Sequence, residues 1–285
     1  MAIKLKNLIK EKSPDIIIST HPFSSQMVSY LKKKQKINPI LATILTDFAS
    51  HKQWLIGHEY TDFFFVSNDN MEQELCDFGV EKSKIHVTGI PMSSRFFEAF
   101  DRNTILEMFH LNHKQPVTLF FGGGEFGLGK ERTLQVLQAL ITNAPNEQIV
   151  AIAGKNEKMK KDFEILVKNL NVEERVKVLG FTDKVPELMA ISHLVVTKPG
   201  GLTTTESLAS HLPILVMNPI PGQEEENAEF LEKQGVGIWI RKDDNPDEII
   251  MNLFHSGETL KTMQENTKKF MKSYSTKDIC EIILQ

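Results

Sequence analysis

Cysteine is scarce in this chain: two among 285 residues, Cys76 and Cys280, far apart in sequence. That excludes a disulfide framework and a cysteine-built zinc site, and it fits a reducing compartment. A basic excess is also missing. The formal net charge of −4 argues against general nucleic-acid binding, which requires a positive surface. No apolar run approaches the roughly 20 residues of a membrane-spanning helix. The opening MAIKLKNLIKEKSPD has neither a long apolar core nor a small-residue cleavage site, so it does not read as a signal peptide. The P-loop lysine motif, zinc-ligand spacing and the G-x-S-x-G elbow are absent too.

What is present is an ordinary globular balance, 41% apolar and 25% charged, sufficient for one large or two modest domains. Short apolar runs alternate with helical patterns, which signals parallel βαβ architecture. Strands are expected at 15–19, 40–46, 62–66 and 84–89, with helices near 23–35 and 69–78. A second series of strands lies at 116–124, 147–154, 175–180, 193–197, 213–217 and 236–240, and helices close the chain at 246–254, 257–272 and 276–284. The expected division is therefore 1–104, 105–272 and a C-terminal helix over 273–285. The first unit has four strands and opens with a helix, whereas a doubly wound unit opens with a strand whose following turn binds ligand. It reads as incomplete. That first helix sets Ile3, Leu5, Leu8 and Ile9 against Lys4, Lys6, Lys10 and Lys12, and LKKKQK follows at 31–36. Each reads as a solvated helix face; together they permit contact with an anionic membrane surface.

Ligands of such sheets bind beyond the carboxyl ends of the strands, where helix N-termini present free amides. Three stretches of the second unit fall there. FFGGGEFGLGK (120–130) carries Gly122, Gly123 and Gly124, readable as a flexible turn or as close backbone approach to a phosphate or sugar. KPGGLTTTE (198–206) places Gly200 and Gly201 before a helix with Thr203 as N-cap and Glu206 completing a capping box. The glycine pair exceeds what a cap needs. Bare amides with the hydroxyls of Thr203 and Thr204 suit a diphosphate, and Glu206 suits a ribose diol better than a phosphate. NPIPGQEEEN (218–227) supplies the pair Gln223 and Glu224 for a hydroxyl-rich hexose, although a helix dipole alone favours such acidity. In the first unit His21, Asp47 and His51 follow strand ends; Trp54 either lines an acceptor pocket or completes a core.

KPGGLTTTESLA followed by PGQEEEN, with PDIIISTHPF, TDFASHKQW, FVSND, VTGIPMSSRF, the GGG turn and Gly180-Phe181 in order, resembles glycosyltransferase family 28. The closest likeness is to its monogalactosyldiacylglycerol synthase and processive diacylglycerol glucosyltransferase branch, over nearly the whole chain. The resemblance implies a GT-B-type α/β fold of two Rossmann-like parallel-sheet domains, the N-terminal one incomplete. It implies a UDP-hexose donor in the C-terminal domain and a diacylglycerol acceptor at the N-terminal one. Glu206 would hold the ribose, Gln223 and Glu224 with Asn227 nearby would face the hexose, and Gly180-Phe181 would neighbour the uracil. The GGG turn and the Gly200–Thr204 amides would lie by the diphosphate. Transfer would proceed with inversion and without metal or cofactor, on the cytoplasmic face of the membrane as a peripheral protein. A polyprenyl-linked peptidoglycan precursor is the alternative acceptor; a non-catalytic UDP-binding remnant and a sugar-nucleotide epimerase are the other readings. Family members begin with a strand and a glycine-rich loop ending in a histidine, which would precede Met1. The expectation is thus a truncated frame, a partner-supplied segment or impaired catalysis, with His21, Asp47 and His51 as the candidate bases.

Overall fold

The computed structural model describes residues 2–122, 129–270 and 274–285. Two compact units result, Met1–Met92 with Lys272–Gln285, and Ser93–Met271.

In the first unit α1 (Ala2–Lys12) precedes β1 (Ile16–Ser19), α2 (Pro22–Lys33), β2 (Ile40–Ile44), β3 (Phe63–Val66), α3 (Asp69–Asp77) and β4 (Ile85–Val87). The strands form one parallel sheet in the order β1-β2-β3-β4, with Ile16 opposite Ile40 and Phe64 opposite Ile85. Nearly unbroken apolar runs such as ILATI and FFFV suit a parallel sheet, which is covered on both faces. Leu5 and Ile9 of α1 pack with Val28, Leu31 and Leu41.

The second unit contains α4 (Arg102–Met108), β5 (Val117–Phe121), α5 (Lys130–Asn143), β6 (Gln148–Ile152), α6 (Glu157–Asn169), β7 (Val176–Leu179), α7 (Val185–Ile191) and β8 (Leu194–Thr197). It continues with α8 (Gly201–Ala209), β9 (Ile214–Met217), α9 (Gln223–Lys233), β10 (Gly237–Ile240), α10 (Pro246–Ser256) and α11 (Glu258–Thr267). Its six parallel strands run β10-β9-β8-β5-β6-β7. The chain winds outward from β5 through β6 to β7, then crosses back to β8 and winds the other way. The order therefore reverses between β5 and β8, and a doubly wound sheet opens its ligand crevice at such a reversal.

The last helix, α12 (Ser275–Ile283), belongs to the first unit, where Ile279 and Ile283 pack on Ala42, Ile44 and Phe65. It is not the separate segment expected over 273–285. The boundary also differs from the expected 104: residues 93–104 belong to the second unit. Arg95 donates to the Asp183 carbonyl at 2.9 Å and to the Glu187 carboxylate at 2.7 Å, and Arg102 donates to the Ile191 carbonyl at 2.6 Å. Side-chain anchoring of this kind leaves no signal in local composition.

Candidate functional site

The turn after β8 leads into α8, and here the structure corrects the expected cap. The N-cap is Gly200, in extended conformation and without any side-chain cap, so Thr203 is the third helical residue and Glu206 the sixth. The ladder opens with Thr204 N–H donating to the Gly200 carbonyl at 2.9 Å. No capping box forms. The leading amides of α8 are therefore left uncapped by side chains, at the positive end of the helix dipole.

Among the described residues nothing demands glycine at position 200. Its φ of −67° is open to any residue, and a Cβ would meet only Glu224 Oε1, at 3.7 Å. The missing side chain leaves the helix mouth bare. The threonines divide: Thr205 Oγ1 donates to the Gly201 carbonyl at 2.7 Å, whereas Thr204 is fully buried, its Oγ1 without a partner among the described residues. Thr204 thus does not present its hydroxyl at the surface as expected. Thr203, partly exposed, is the threonine near the mouth.

Glu206 is half-buried, and burial pushes its carboxyl up to about 7. Its carboxylate has no hydrogen bond or ion pair among the described residues. Glu206 lies in the second turn of the helix whose first amides are uncapped. A desolvated acceptor on a helix with uncapped leading amides offers a polyol anion two complementary groups: amides for the anion, carboxylate for hydroxyls.

The turn after β9 meets the same place. Gly222 caps α9 with φ +92° and ψ −108°, a conformation that essentially only glycine adopts. Its N–H donates to Glu225 Oε2 at 3.0 Å, so Glu225 is used as a cap. Glu224 Oε2 accepts from Ile220 N–H at 2.6 Å while its other oxygen faces Gly200. Asn227, expected near a hexose, is fully buried and donates from Nδ2 to the Pro199 carbonyl at 2.9 Å. It holds the turn rather than meeting a ligand. Gln223 is exposed at the first position of α9.

Of the GGG turn, Gly123 and Gly124 lie outside the described residues. Gly122 has a packing explanation, because a Cβ there would sit 2.6 Å from Phe163 Cζ. Gly180 and Phe181 follow β7; Phe181 is 69% exposed, with the Lys155 ammonium 5.5 Å from its ring centroid. Lys155 follows β6 in the segment AGKN, and sequence reasoning missed it; the pairing of β6 with β7 sets it beside Phe181.

A cavity of about 590 Å³ borders this region, with Lys198, Pro221, Glu225 and Trp239 among its walls. A larger one of about 880 Å³, walled by Asn112, Gln148 and Arg175, lies at the amino ends of β5 and β6, the wrong end for ligands of such a sheet.

In the first unit His21 and His51 are N-caps: their Nδ1 atoms accept from Phe23 N–H at 3.2 Å and Gln53 N–H at 3.3 Å. Asp47 is 4% exposed. Trp54 is 2% exposed in a core with Leu45, Phe64 and Met71, which settles it as core and removes it from any acceptor surface. Among the described residues no helix is long and apolar enough to cross a membrane.

Comparison with known proteins agrees with the architecture. Residues 1–92 match the family model described as monogalactosyldiacylglycerol (MGDG) synthase, and 101–270 match glycosyl transferases group 1. A processive diacylglycerol beta-glucosyltransferase of Staphylococcus epidermidis is 34% identical over 281 residues, 99% of this chain and 70% of that protein. One from Bacillus licheniformis is 31% identical over 285 residues, 99% of this chain and 71% of its own. The fold is shared with a UDP-GlcNAc 2-epimerase from Neisseria meningitidis bound to UDP-GlcNAc (TM-score 0.75, 16% identity, 99% of this chain and 80% of that one). It is shared equally with MnaA of Staphylococcus aureus in complex with UDP (TM-score 0.76, 16% identity, 99% and 78%).

Proposed function

Because the chain belongs to the glycosyltransferase family of the processive diacylglycerol glucosyltransferases, we propose that it transfers a hexose from a UDP-sugar to diacylglycerol, making glycolipid. The observation that carries the donor reading is the pairing of uncapped amides at the mouth of α8 with the unpaired carboxylate of Glu206. In this reading the amides meet the diphosphate and Glu206 accepts from the ribose hydroxyls. Glu224 and Gln223, from the adjacent helix start, face the hexose. The leaving UDP develops charge where the helix dipole already points, which lowers the barrier without reorganisation at the moment of reaction. The acceptor hydroxyl attacks the anomeric carbon in line, with inversion, as a base removes its proton. His21, Asp47 and His51 are the candidates for that base. No cofactor or metal enters the proposed reaction.

The proposal includes a peripheral place on the inner face of the cell membrane. Exposed Lys4, Lys10 and Lys12 of α1, with Lys33, Lys34 and Lys36, supply the charge; exposed Leu8, Phe23 and Tyr30 supply apolar contact. Lys32 is not available, being paired with Asp62.

The test is transfer from radiolabelled UDP-glucose and UDP-galactose to diacylglycerol, with a polyprenyl-linked peptidoglycan precursor in parallel. Product on diacylglycerol supports the reading, and product on the polyprenyl lipid alone overturns the acceptor. A UDP-dependent rise in melting temperature tests the donor site by itself.

A further inference from the structure

The cavity of about 590 Å³ lies where the turns after β9 and β10 meet the start of α5. Its walls do not include Gly200, Glu206, Gln223 or Glu224, the residues read above as donor contacts. One wall is fixed by Asn218, whose Nδ2 donates to the Gly129 carbonyl at 3.2 Å and to Thr133 Oγ1 at 2.9 Å. Another is Trp239. Its backbone N–H donates to Glu232 Oε1 at 3.1 Å, and the Arg241 guanidinium, paired with Glu232 at 2.6 Å, stands 4.6 Å from the indole centroid. The indole with Pro219, Ile220 and Pro221 makes an apolar floor, and Ile220 keeps 48% of its surface in solvent.

Around that floor the hydrogen-bond donors are in surplus. Arg132 gives one terminal nitrogen to the carbonyls of Arg241 and Asp244, at 2.7 and 2.8 Å, while its Nε–H is buried without a partner among the described residues. Lys198 and Lys242 also line the cavity and form no hydrogen bond or ion pair among the described residues. The helix α5 starts at this wall from Gly129 with no side-chain cap, so its leading amides add positive potential. Of the two acids, Glu225 accepts from Gly222 N–H at 3.0 Å, which leaves Glu131 alone against three cations. Surplus cationic donors beside an apolar floor fit a molecule that is anionic at one end and apolar at the other.

We propose that this cavity is a binding site for a long-chain fatty acid. The carboxylate meets Lys198, Lys242 and the Arg132 Nε–H, and the chain lies along Trp239 and Ile220. The carboxylate supplies the acceptors that the wall lacks, and the chain takes exposed apolar surface out of water. The volume is that of a small-ligand site. Diacylglycerol carries no charge to meet the cations, so this cavity is separate from an acceptor site for that lipid. The proposal stands apart from the donor reading, because none of the donor contacts is used.

The chain has two tryptophans, Trp54 in the core of the first unit and Trp239 in the cavity wall, so a bromine-bearing acid that quenches fluorescence reports the cavity directly. The experiment titrates the full chain with ω-bromoundecanoate, for the wild type, Trp239→Phe and Lys242→Glu, with thermal melts verifying that each variant folds. Octanoate, decanoate, laurate and uncharged decanol serve as competitors. The wild type is expected to show saturable quenching that W239F lacks. Competition should strengthen about tenfold for each two methylenes added. Decanol should compete about tenfold less well than decanoate, and K242E should weaken decanoate about tenfold while leaving decanol unchanged, the size of one hydrogen bond between charged groups. Absence of quenching, or quenching that persists in W239F, overturns the site. Equal competition by octanoate and laurate makes it an anion site without a place for the chain. Equal competition by decanol and decanoate makes it bare apolar surface, and either result overturns the proposal.

Discussion

The side-chain amide of Asn227 donates to the carbonyl of Pro199 across 2.9 Å, with the asparagine fully buried. This one bond joins the helix that begins at Gln223 to the turn that opens the helix of Glu206. Three positions before Asn227, on the same side of α9, Glu224 sets its carboxylate over Gly200. The two halves of the candidate site are therefore built on each other. Substituting Asn227→Ala strips a buried acceptor of its donor, which costs about 1–3 kcal/mol. The expected result is a lowered melting temperature and a raised KM for the sugar nucleotide, with UDP affinity falling further than in surface variants of equal stability. Calorimetry with UDP and thermal melts measure both.

Glu206 is expected to make UDP binding depend on pH. Burial raises its carboxyl to about 7, so the folded protein holds this proton more tightly than the unfolded chain does. The charged form is the one penalised: the residue costs no stability at low pH, and its cost grows as pH rises from the ordinary carboxyl range through about 7. Removing the charge with Glu206→Gln should leave the melting temperature unchanged near pH 5 and raise it near pH 8, by on the order of 1 kcal/mol after allowing for its partial exposure. UDP binding should run oppositely. Ribose hydroxyls need an ionised acceptor, so wild-type affinity should climb between pH 6 and 8 while E206Q binds weakly and without that slope.

Gly122 is expected to behave as a packing residue. A methyl group there collides with the Phe163 ring, so Gly122→Ala should destabilise by about 1–3 kcal/mol. Pairing it with Phe163→Leu should recover part of the loss, a positive coupling in a double-mutant cycle. A pure ligand-approach role would instead reduce UDP affinity with stability untouched.

Trp54 and the two histidines should separate cleanly. Trp54→Ala empties a core site and should cost about 3–5 kcal/mol in denaturant unfolding. His21→Ala or His51→Ala removes only a helix cap, about 0.5–2 kcal/mol. If either histidine is the base, its alanine variant should also lose on the order of 100-fold in kcat with donor KM unchanged. Steady-state kinetics on the folded variants decides which.

The strands were legible because short, mostly apolar runs of three to five residues have few other uses; β1 to β4 and β5 to β10 all fall on expected segments. The glycine turns and the Glu206 carboxylate were legible as residue types at strand ends. The start of α8 was not. Local chemistry favoured Thr203 as cap, yet the helix begins at Gly201, where the Pro199 carbonyl is held by Asn227, a residue 28 positions away. The family resemblance put Asn227 near the hexose, and its burial was not visible there, since a buried amide and an exposed one look alike in sequence. Trp54 allowed two readings for the same reason.

By itself the sequence determined the alternation of strand and helix, the likeness to its family, and which residue types stand after which strands. These rest on propensities and motifs, which act over a few residues. Only the tertiary structure decided the order β10-β9-β8-β5-β6-β7, and with it the reversal that sets β5 and β8 side by side. It also decided that α12 completes the first unit and that Glu206 lies desolvated, without a partner among the described residues. Strand order, burial and desolvation are set by contacts between distant segments, and no short stretch of sequence carries them.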